Sequence, residues 1–138
     1  MIPKLVTRRG KNNERGQAMV EFALVIPVLL IVAFGIIQGG ILFNNYMALT
    51  DAVRVGARQA AVGRTAADPI GQAETRLRNA ADHLDQAQLS VTITPADPAT
   101  WQQGGDVTVK ATYPYSIDLL GIVVASGQLT SETTERVE

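Results

Sequence analysis

Residues 22–43 read FALVIPVLLIVAFGIIQGGILF, an apolar block in which Gln38 is the only strongly polar side chain. No charged residue follows it until Asp51. As a helix rising about 1.5 Å per residue, the block would extend roughly 33 Å, enough for a hydrocarbon core of about 30 Å. The block therefore predicts a membrane-spanning helix. Glu21 directly precedes it, and an acid at that position is costly enough to suggest a function.

The charges on the two sides of this block differ in sign. Before Gly16 the chain carries five basic residues and the single acid Glu14, whereas after Gly16 it carries twelve acids and seven bases. The positive-inside rule predicts that the basic leader, residues 1–16, stays in the cytoplasm. Residues 64–138 would then form a small domain outside the cytoplasm. The chain has no cysteine, which excludes disulfides and thiolate metal sites.

A secretory signal peptide is the alternative for a basic stretch followed by an apolar run. Such a signal has an apolar core of about 7 to 15 residues and then a small-residue cleavage site. The present block is longer, and its helical pattern continues through Ala61. Arg8 and Arg9 are followed by Gly-Lys-Asn, which lacks the apolar residues of a twin-arginine signal. We therefore expect one long helix over residues 17–63, with the membrane span at about residues 22–43.

Residues 15–30 read RGQAMVEFALVIPVLL and resemble the amino terminus of the TadE-like family of minor pseudopilins, in the tight-adherence branch of type IV pilus machinery. Residues 52–58, AVRVGAR, are similar to a further stretch of that family. The resemblance implies that a prepilin peptidase cuts after Gly16 and makes Gln17 the amino terminus. Glu21 would be the fifth mature residue and Phe22 the sixth. Major pilins of this branch usually carry tyrosine there, so Phe22 favours a minor pseudopilin.

The spacing of Gln17 and Glu21 suggests a role for the acid. Cleavage after Gly16 would create an ammonium group on Gln17, and residues separated by four positions share a helix face. A carboxylate in the first helical turn is also favoured by the helix dipole. Glu21 would pair with its own amino terminus or with that of a neighbouring subunit, and pilin resemblance favours the neighbour. The alternative is that Glu21 only borders the span and reaches to the interface.

Small residues in the apolar block suggest helix packing. Gly35 and Gly39 are four apart, a spacing that lets a second helix approach closely. Gln38 beside them would hydrogen-bond across such an interface or extend to the membrane edge. Beyond the block the helix becomes amphipathic, with an apolar face that we expect to dock on the soluble domain. That face consists of Tyr46, Leu49, Val53, Gly56, Ala57 and Ala60.

The remaining chain predicts a small α+β domain. Residues 70–86 have the period of an amphipathic helix, and residues 89–94 and 107–113 alternate apolar and polar residues as strands do. A third strand is predicted over residues 128–137, after a short helix within the apolar residues 117–125. Two or three antiparallel strands would pack on the second helix and on the end of the first. The exposed edges of such a sheet suit contact with a partner subunit.

The soluble half contains little that predicts chemistry. His83 is the only histidine and is expected at the surface, which excludes a multi-histidine metal site. Asp97 and Asp106 would have to approach each other to act as acid and base or as calcium ligands, and no spacing signature supports this. Trp101 is expected to cover the sheet, with a partner contact as the alternative. We expect no enzymatic activity, no cofactor, no metal and no nucleic-acid partner.

These patterns lead to two hypotheses of function. In the first, the protein is a minor pseudopilin in the bacterial inner membrane that acts in pilus assembly, adhesion or secretion. Its partners would be the prepilin peptidase, other pilins, the assembly platform and membrane lipid. In the second, the protein stays uncut as a single-pass anchor whose outer domain recruits another envelope or secretion protein. Cleavage after Gly16 separates the two hypotheses.

Overall fold

A computed structural model describes residues 11–119 and 121–138 of the chain. Two helices come first, α1 (Lys11–Val62) and α2 (Pro69–Ala80), and three strands follow, β1 (Ser90–Thr94), β2 (Asp106–Leu119) and β3 (Ile122–Arg136). This order confirms the predicted α+β class, with a long first helix, a second helix and a three-stranded antiparallel sheet. The chain divides into two compact units, Met1–Ile37 and Gln38–Glu138.

Within the first unit, the described residues all belong to α1. The helix begins at Lys11 and not at the predicted residue 17, so part of the expected leader is helical, and residues 1–10 lie outside the described part of the chain. Residues 16–37 are all exposed in the isolated chain, and Pro27 lies inside the helix. The length and apolarity of this helix indicate membrane anchoring.

In the second unit, the carboxy-terminal part of α1 supplies one side of the core. The predicted apolar face is confirmed, because Leu49, Val53, Ala57 and Ala60 are fully buried. Tyr46 lies outside this core, with 42% of its surface exposed. The buried apolar side chains come from α1, α2, β1, β2, the connections between them and Val137 directly after β3, and the partly buried Leu129 of β3 packs against them, so a single core joins the helices to the sheet.

Helix α2 starts where the sequence predicts and ends earlier. The Asp68 side chain accepts a hydrogen bond from the Gly71 backbone at 2.9 Å, which caps the helix before Pro69. The predicted end at residue 86 is wrong, because α2 ends at Ala80 and a series of turns follows. Ala81 and Leu84 lie after the end of α2, in the turns that follow it. Both are nevertheless buried, as the helical period predicts.

The physical reason for this early end is a set of local hydrogen bonds. The Ala81 backbone N–H donates to the carbonyls of both Leu77 and Arg78, at 3.0 and 3.2 Å, which tightens the last turn of α2. The Gln86 side-chain amide then donates to the carbonyls of Ala81 and Leu84, at 2.7 and 3.1 Å. These contacts satisfy carbonyl groups that would otherwise continue the helical ladder.

The sheet has the order β1-β2-β3, with both pairs antiparallel. Val107, Val109 and Ala111 of β2 are fully buried, while Lys110 between them is exposed, as the predicted alternation requires. Strand β1 pairs only with residues 108–112 of β2, so residues 113–119 of β2 extend beyond its end. The third strand is confirmed, and it starts at Ile122, six residues before the predicted residue 128.

The short helix predicted within residues 117–125 is wrong. Residues 117–119 and 122–125 form the far end of a hairpin between β2 and β3, with Ile117 opposite Ala125 and Leu119 opposite Ile122. Ile117, Ile122, Val123 and Val124 are β-branched, which favours strands, and the register shifts by one residue at Ile117/Asp118. Gly121 has a φ of 86°, a conformation that glycine adopts readily at a turn.

Trp101 closes the connection between β1 and β2, which contains a short 3-10 helix at Pro98–Thr100. Its indole is only 5% exposed and donates a hydrogen bond to the Pro95 carbonyl at 2.9 Å. The expected role of Trp101 in covering the core is confirmed. The alternative of a free aromatic anchor for a partner is wrong, because the ring is already buried within its own chain.

Candidate functional site

The expected cleavage site lies inside a helix. Gly16 and Gln17 are both part of α1 and both are exposed. A Cβ added at Gly16 would meet no atom within 4 Å, so nothing in the described part of the chain requires glycine at this position for packing. In an α-helix the carbonyl of residue 16 accepts a hydrogen bond from the N–H of residue 20. A peptidase that reads an extended segment would have to unwind this turn.

Gln17 and Glu21 are brought together by their helical spacing. The Gln17 side-chain amide donates to a Glu21 carboxylate oxygen at 3.3 Å, slightly longer than a typical hydrogen bond of this kind. In the uncut chain the carboxylate therefore faces an uncharged amide. Phe22 is 65% exposed and does not belong to the core. Both side chains are accessible to a partner in this unit.

Gly35 and Gly39 leave open space on α1. A Cβ added at either position, or at the adjacent Gly40, would meet nothing within 4 Å. No described residue of this chain therefore packs closely on these glycines. The space is available to a helix from another molecule, although two glycines at this spacing are common in membrane helices.

Gln38 has a partner within its own chain that the sequence did not predict. Its side-chain amide donates to the Asp118 backbone carbonyl at 3.2 Å, near the end of β2. The contact joins residues 80 positions apart, which explains why no local pattern indicated it. A groove of about 410 Å³ lies beside it, between residues 38–45 of α1 and residues 113–117 of β2. Its lining includes Tyr113 and Tyr115 and contains no acidic or basic side chain.

The two acids that were candidates for acid–base catalysis or calcium binding, Asp97 and Asp106, show no such site in the part of the chain that the structure describes. The Asp97 carboxylate accepts a hydrogen bond from the Ala99 backbone at 2.9 Å and caps the short 3-10 helix. Asp106 is the exposed first residue of β2. His83 lies in the turns after α2, exposed, with a ring nitrogen 3.3 Å from the Asp82 carboxylate. Within the described ranges, no three His, Cys, Asp or Glu residues are close enough to hold a metal ion.

Two arginines near the carboxy-terminal end of α1 form exposed ion pairs. Arg54 lies 3.6 Å from Asp51, and Arg58 lies 3.7 Å from Glu138 near the end of the chain. More than 60% of each of these side chains is exposed, so each pair is expected to contribute about 1 kcal/mol or less to stability. Between these arginines, Gly56 lies against Leu77 of α2. Gly56 is two positions from each arginine and so lies on the opposite face of α1, which packs in the core while the arginines face solvent.

A family model described as TadE-like protein matches residues 16–58. The resemblance to the TadE-like family is thereby confirmed over this segment. The TadE-like segment begins at Gly16, includes Glu21 and the small-residue face, and ends at Arg58 on the part of α1 that packs in the core. No curated protein and no solved structure matches the chain.

The TadE-like segment is the part of this chain that is similar to TadE-like proteins. This segment lies entirely on α1, whereas α2 and the sheet lie beyond it. The TadE-like segment is therefore a helix with an acid near one end and small residues in its middle. This arrangement suits insertion and packing between helices.

Proposed function

We propose that this protein is a minor pseudopilin of a tight-adherence type pilus, cut by a prepilin peptidase and acting in pilus assembly and adhesion. The match to the TadE-like family over residues 16–58 carries the proposal, because it begins at the glycine of the expected cleavage site. The apolar helix supports insertion in the bacterial inner membrane. The basic leader supports an orientation with the amino end in the cytoplasm and the α+β domain outside.

The first step of this function is cleavage between Gly16 and Gln17. Glycine has a lower helix propensity than alanine by about 1 kcal/mol, which makes local unwinding at Gly16 easier. Because an added methyl at Gly16 would contact nothing within 4 Å, Gly16→Ala should leave the fold of the chain intact. Loss of cleavage in that variant would therefore report on recognition by the peptidase.

Intact-mass measurement after co-expression with a tight-adherence prepilin peptidase tests this step. The expected product lacks residues 1–16, and Gly16→Ala should remain uncut. Gly35→Ala is the matched control, because it makes the same change at another open helical position and should be cut normally. An uncut wild-type chain, or normal cleavage of Gly16→Ala, would overturn the proposal.

The second step is the pairing of the Glu21 carboxylate with an amino-terminal ammonium group. Cleavage would place a new ammonium group on Gln17, one helical turn from Glu21, and replace a neutral amide contact with a charged one. An acid near a membrane span is stabilised when such a cation neutralises it. We assign the ammonium of a neighbouring subunit to this role, because a charge pair between subunits would also set their axial register. Phe22 would then lie beside this pair on the exposed helix surface.

Glu21→Gln tests the pairing without preventing the cut. The variant should be processed normally but should co-purify several-fold less with the other pilins of the system. Glu132→Gln on the exposed face of β3 is the control and should behave as wild type. If Glu21→Gln is processed and co-purifies normally, the register role is wrong. A mature chain whose Gln17 has cyclised with loss of ammonia would lack the cation and would also exclude the pairing.

The face formed by Gly35 and Gly39 is the proposed packing surface for another subunit's helix. Its open space accommodates close approach, and the helix around it is exposed. Gln38 lies next to this face and already has an intrachain partner in Asp118, so we assign it to holding the hairpin and not to the interface. The assembly platform would receive the subunit through the same helix.

The second candidate is an uncut single-pass anchor whose outer domain recruits another envelope or secretion protein. The observation that favours it is the continuity of α1 from Lys11 through Gly16, since no break marks the expected cleavage site. This function predicts a full-length mass even with the peptidase present. It also predicts that Glu21→Gln changes nothing, so the two experiments above separate the candidates.

A further inference from the structure

The far end of the β2–β3 hairpin carries exposed apolar side chains on both faces, and Asp118, which is paired with Val123, is the one charged residue there. Ile122, Val123 and Val124 are 69%, 57% and 58% exposed, and we call these three residues the hairpin tip. Successive side chains of a strand point to opposite faces, so the hairpin tip presents apolar surface in both directions. A strand that docks on one flat protein surface needs only one apolar face. Surface of this kind on both faces is instead suited to immersion in an apolar medium.

The hairpin tip lies beside the part of α1 that belongs to the apolar block. The hydrogen bond from Gln38 to the Asp118 carbonyl, at 3.2 Å, connects the end of β2 to this part of the helix. Five residues of the block follow Gln38, and at about 1.5 Å per residue they extend roughly 7.5 Å further along the helix. Ile41 and Phe43 among them are 52% and 65% exposed. The hairpin therefore ends at a level where the helix itself is still apolar and exposed.

The residues around this level have the composition of a membrane interface. From residue 111 to residue 131, Asp118 is the only charged residue. All three tyrosines of the chain lie in the second unit, Tyr46 on α1 and Tyr113 and Tyr115 on β2, and the last two line the groove beside Gln38. Tyrosine is enriched where a membrane protein leaves the hydrocarbon, because the ring is apolar and the hydroxyl is polar. The single charge of Asp118 limits any insertion to a shallow depth.

We propose that the hairpin tip inserts into the membrane leaflet from which α1 emerges and holds the α+β domain against the lipid surface. The occupant of this surface is phospholipid at the level of the glycerol groups and upper acyl chains. The hydrogen bond of Gln38 with Asp118 places the end of β2 beside the apolar block of α1, and both the block and the hairpin tip expose apolar side chains. The proposal requires that α1 anchors in lipid, and it is independent of cleavage after Gly16.

The absence of cysteine in the chain makes site-directed spin labelling a direct test. Single-cysteine variants Ile122→Cys and Val123→Cys of the full chain would be labelled with a nitroxide and reconstituted in phosphatidylcholine vesicles. Accessibility to dissolved oxygen, which concentrates in lipid, would be compared with accessibility to a water-soluble nickel complex present on both sides of the membrane. Thr134→Cys, at the exposed other end of β3, is the matched control. Leu30→Cys checks that α1 has inserted.

Both labels on the hairpin tip should give an oxygen-to-nickel accessibility ratio several-fold higher than the label at Thr134. A ratio equal to that at Thr134, measured while Leu30→Cys reports inserted helix, would overturn the proposal. A high ratio at only one of Ile122 and Val123 would indicate docking on a surface and would also overturn it. Low accessibility to both reagents that increases as the protein is diluted in lipid would identify a second protein copy as the occupant and exclude lipid.

Discussion

Gly56 of α1 lies against Leu77 of α2, and replacing it with alanine tests this contact directly. A Cβ added at Gly56 would lie 3.0 Å from the Leu77 Cβ and 3.1 Å from the Leu77 Cδ1. Carbon atoms in favourable contact are separated by about 3.5–4.0 Å. Because the Leu77 Cβ is attached directly to the α2 backbone, a rotation of the side chain cannot relieve the contact. Helix α2 would have to move.

The expected magnitude follows from two opposing effects. Inserting a methyl group into a packed core costs about 1–3 kcal/mol, because side chains and backbone must shift. Replacing glycine by alanine in a helix returns at most about 1 kcal/mol. Gly40→Ala provides the control, because the same change on the same helix meets nothing within 4 Å. We expect Gly40→Ala to keep or raise the stability of the domain, and Gly56→Ala to be about 1–3 kcal/mol less stable than that control.

Trp101 allows the measurement to be made on the full chain in detergent. It is the only tryptophan and lies in the core of the second unit, so its fluorescence reports unfolding of the domain in urea. With an m-value of about 1.5 kcal/mol/M, the expected difference lowers the urea midpoint of Gly56→Ala by roughly 0.7–2 M relative to Gly40→Ala. Equal midpoints for the two variants, or a higher midpoint for Gly56→Ala, would refute the close contact of α1 with α2.

Two further changes test the ends of elements in the second unit. Asp68→Ala removes the hydrogen bond to the Gly71 backbone and should lower the free energy of unfolding by about 1 kcal/mol, whereas Asp68→Asn should retain most of it, which urea titration would measure. Equal losses in the two variants would contradict a capping role. Trp101→Phe keeps an aromatic ring but leaves the Pro95 carbonyl without its donor, for a loss of about 1 kcal/mol. Circular dichroism should then show a melting temperature about 4–8 °C lower, and an unchanged melting temperature would contradict the contact.

Most of the fold could be predicted because its signals are local. The apolar block before Asp51, the alternation around Val109 and the helical period around Leu77 each arise from a repeat of two or 3.6 residues. The predictions are wrong where a segment suits both a helix and a strand, or where contacts with residues far away in the sequence determine its structure. The apolar run around Val123 suits a short helix or a strand equally well, and its pairing with β2 decided between them.

In the candidate site, too, neighbours along one helix could be predicted from the sequence, whereas contacts between distant residues could not. The positions of Gly16 and Glu21 were recognised from the sequence, because spacing along one helix determines which side chains are neighbours. The partner of Gln38 was missed, since Asp118 is 80 residues away and offers a backbone carbonyl that no sequence pattern marks. The role of Gly56 was also only partly predicted, as a member of an apolar face.

The sequence by itself determined the membrane-anchoring character of α1, the α+β class and the TadE-like resemblance, because length, hydropathy and short motifs are properties of contiguous residues. Tertiary structure alone decided where α2 stops, which face of α1 contacts Leu77 and where the hairpin tip lies beside α1. These features depend on hydrogen bonds and packing between residues far apart in the chain. These contacts form, and stabilise the protein, only when the chain has folded. Patterns among neighbouring residues therefore do not predict them.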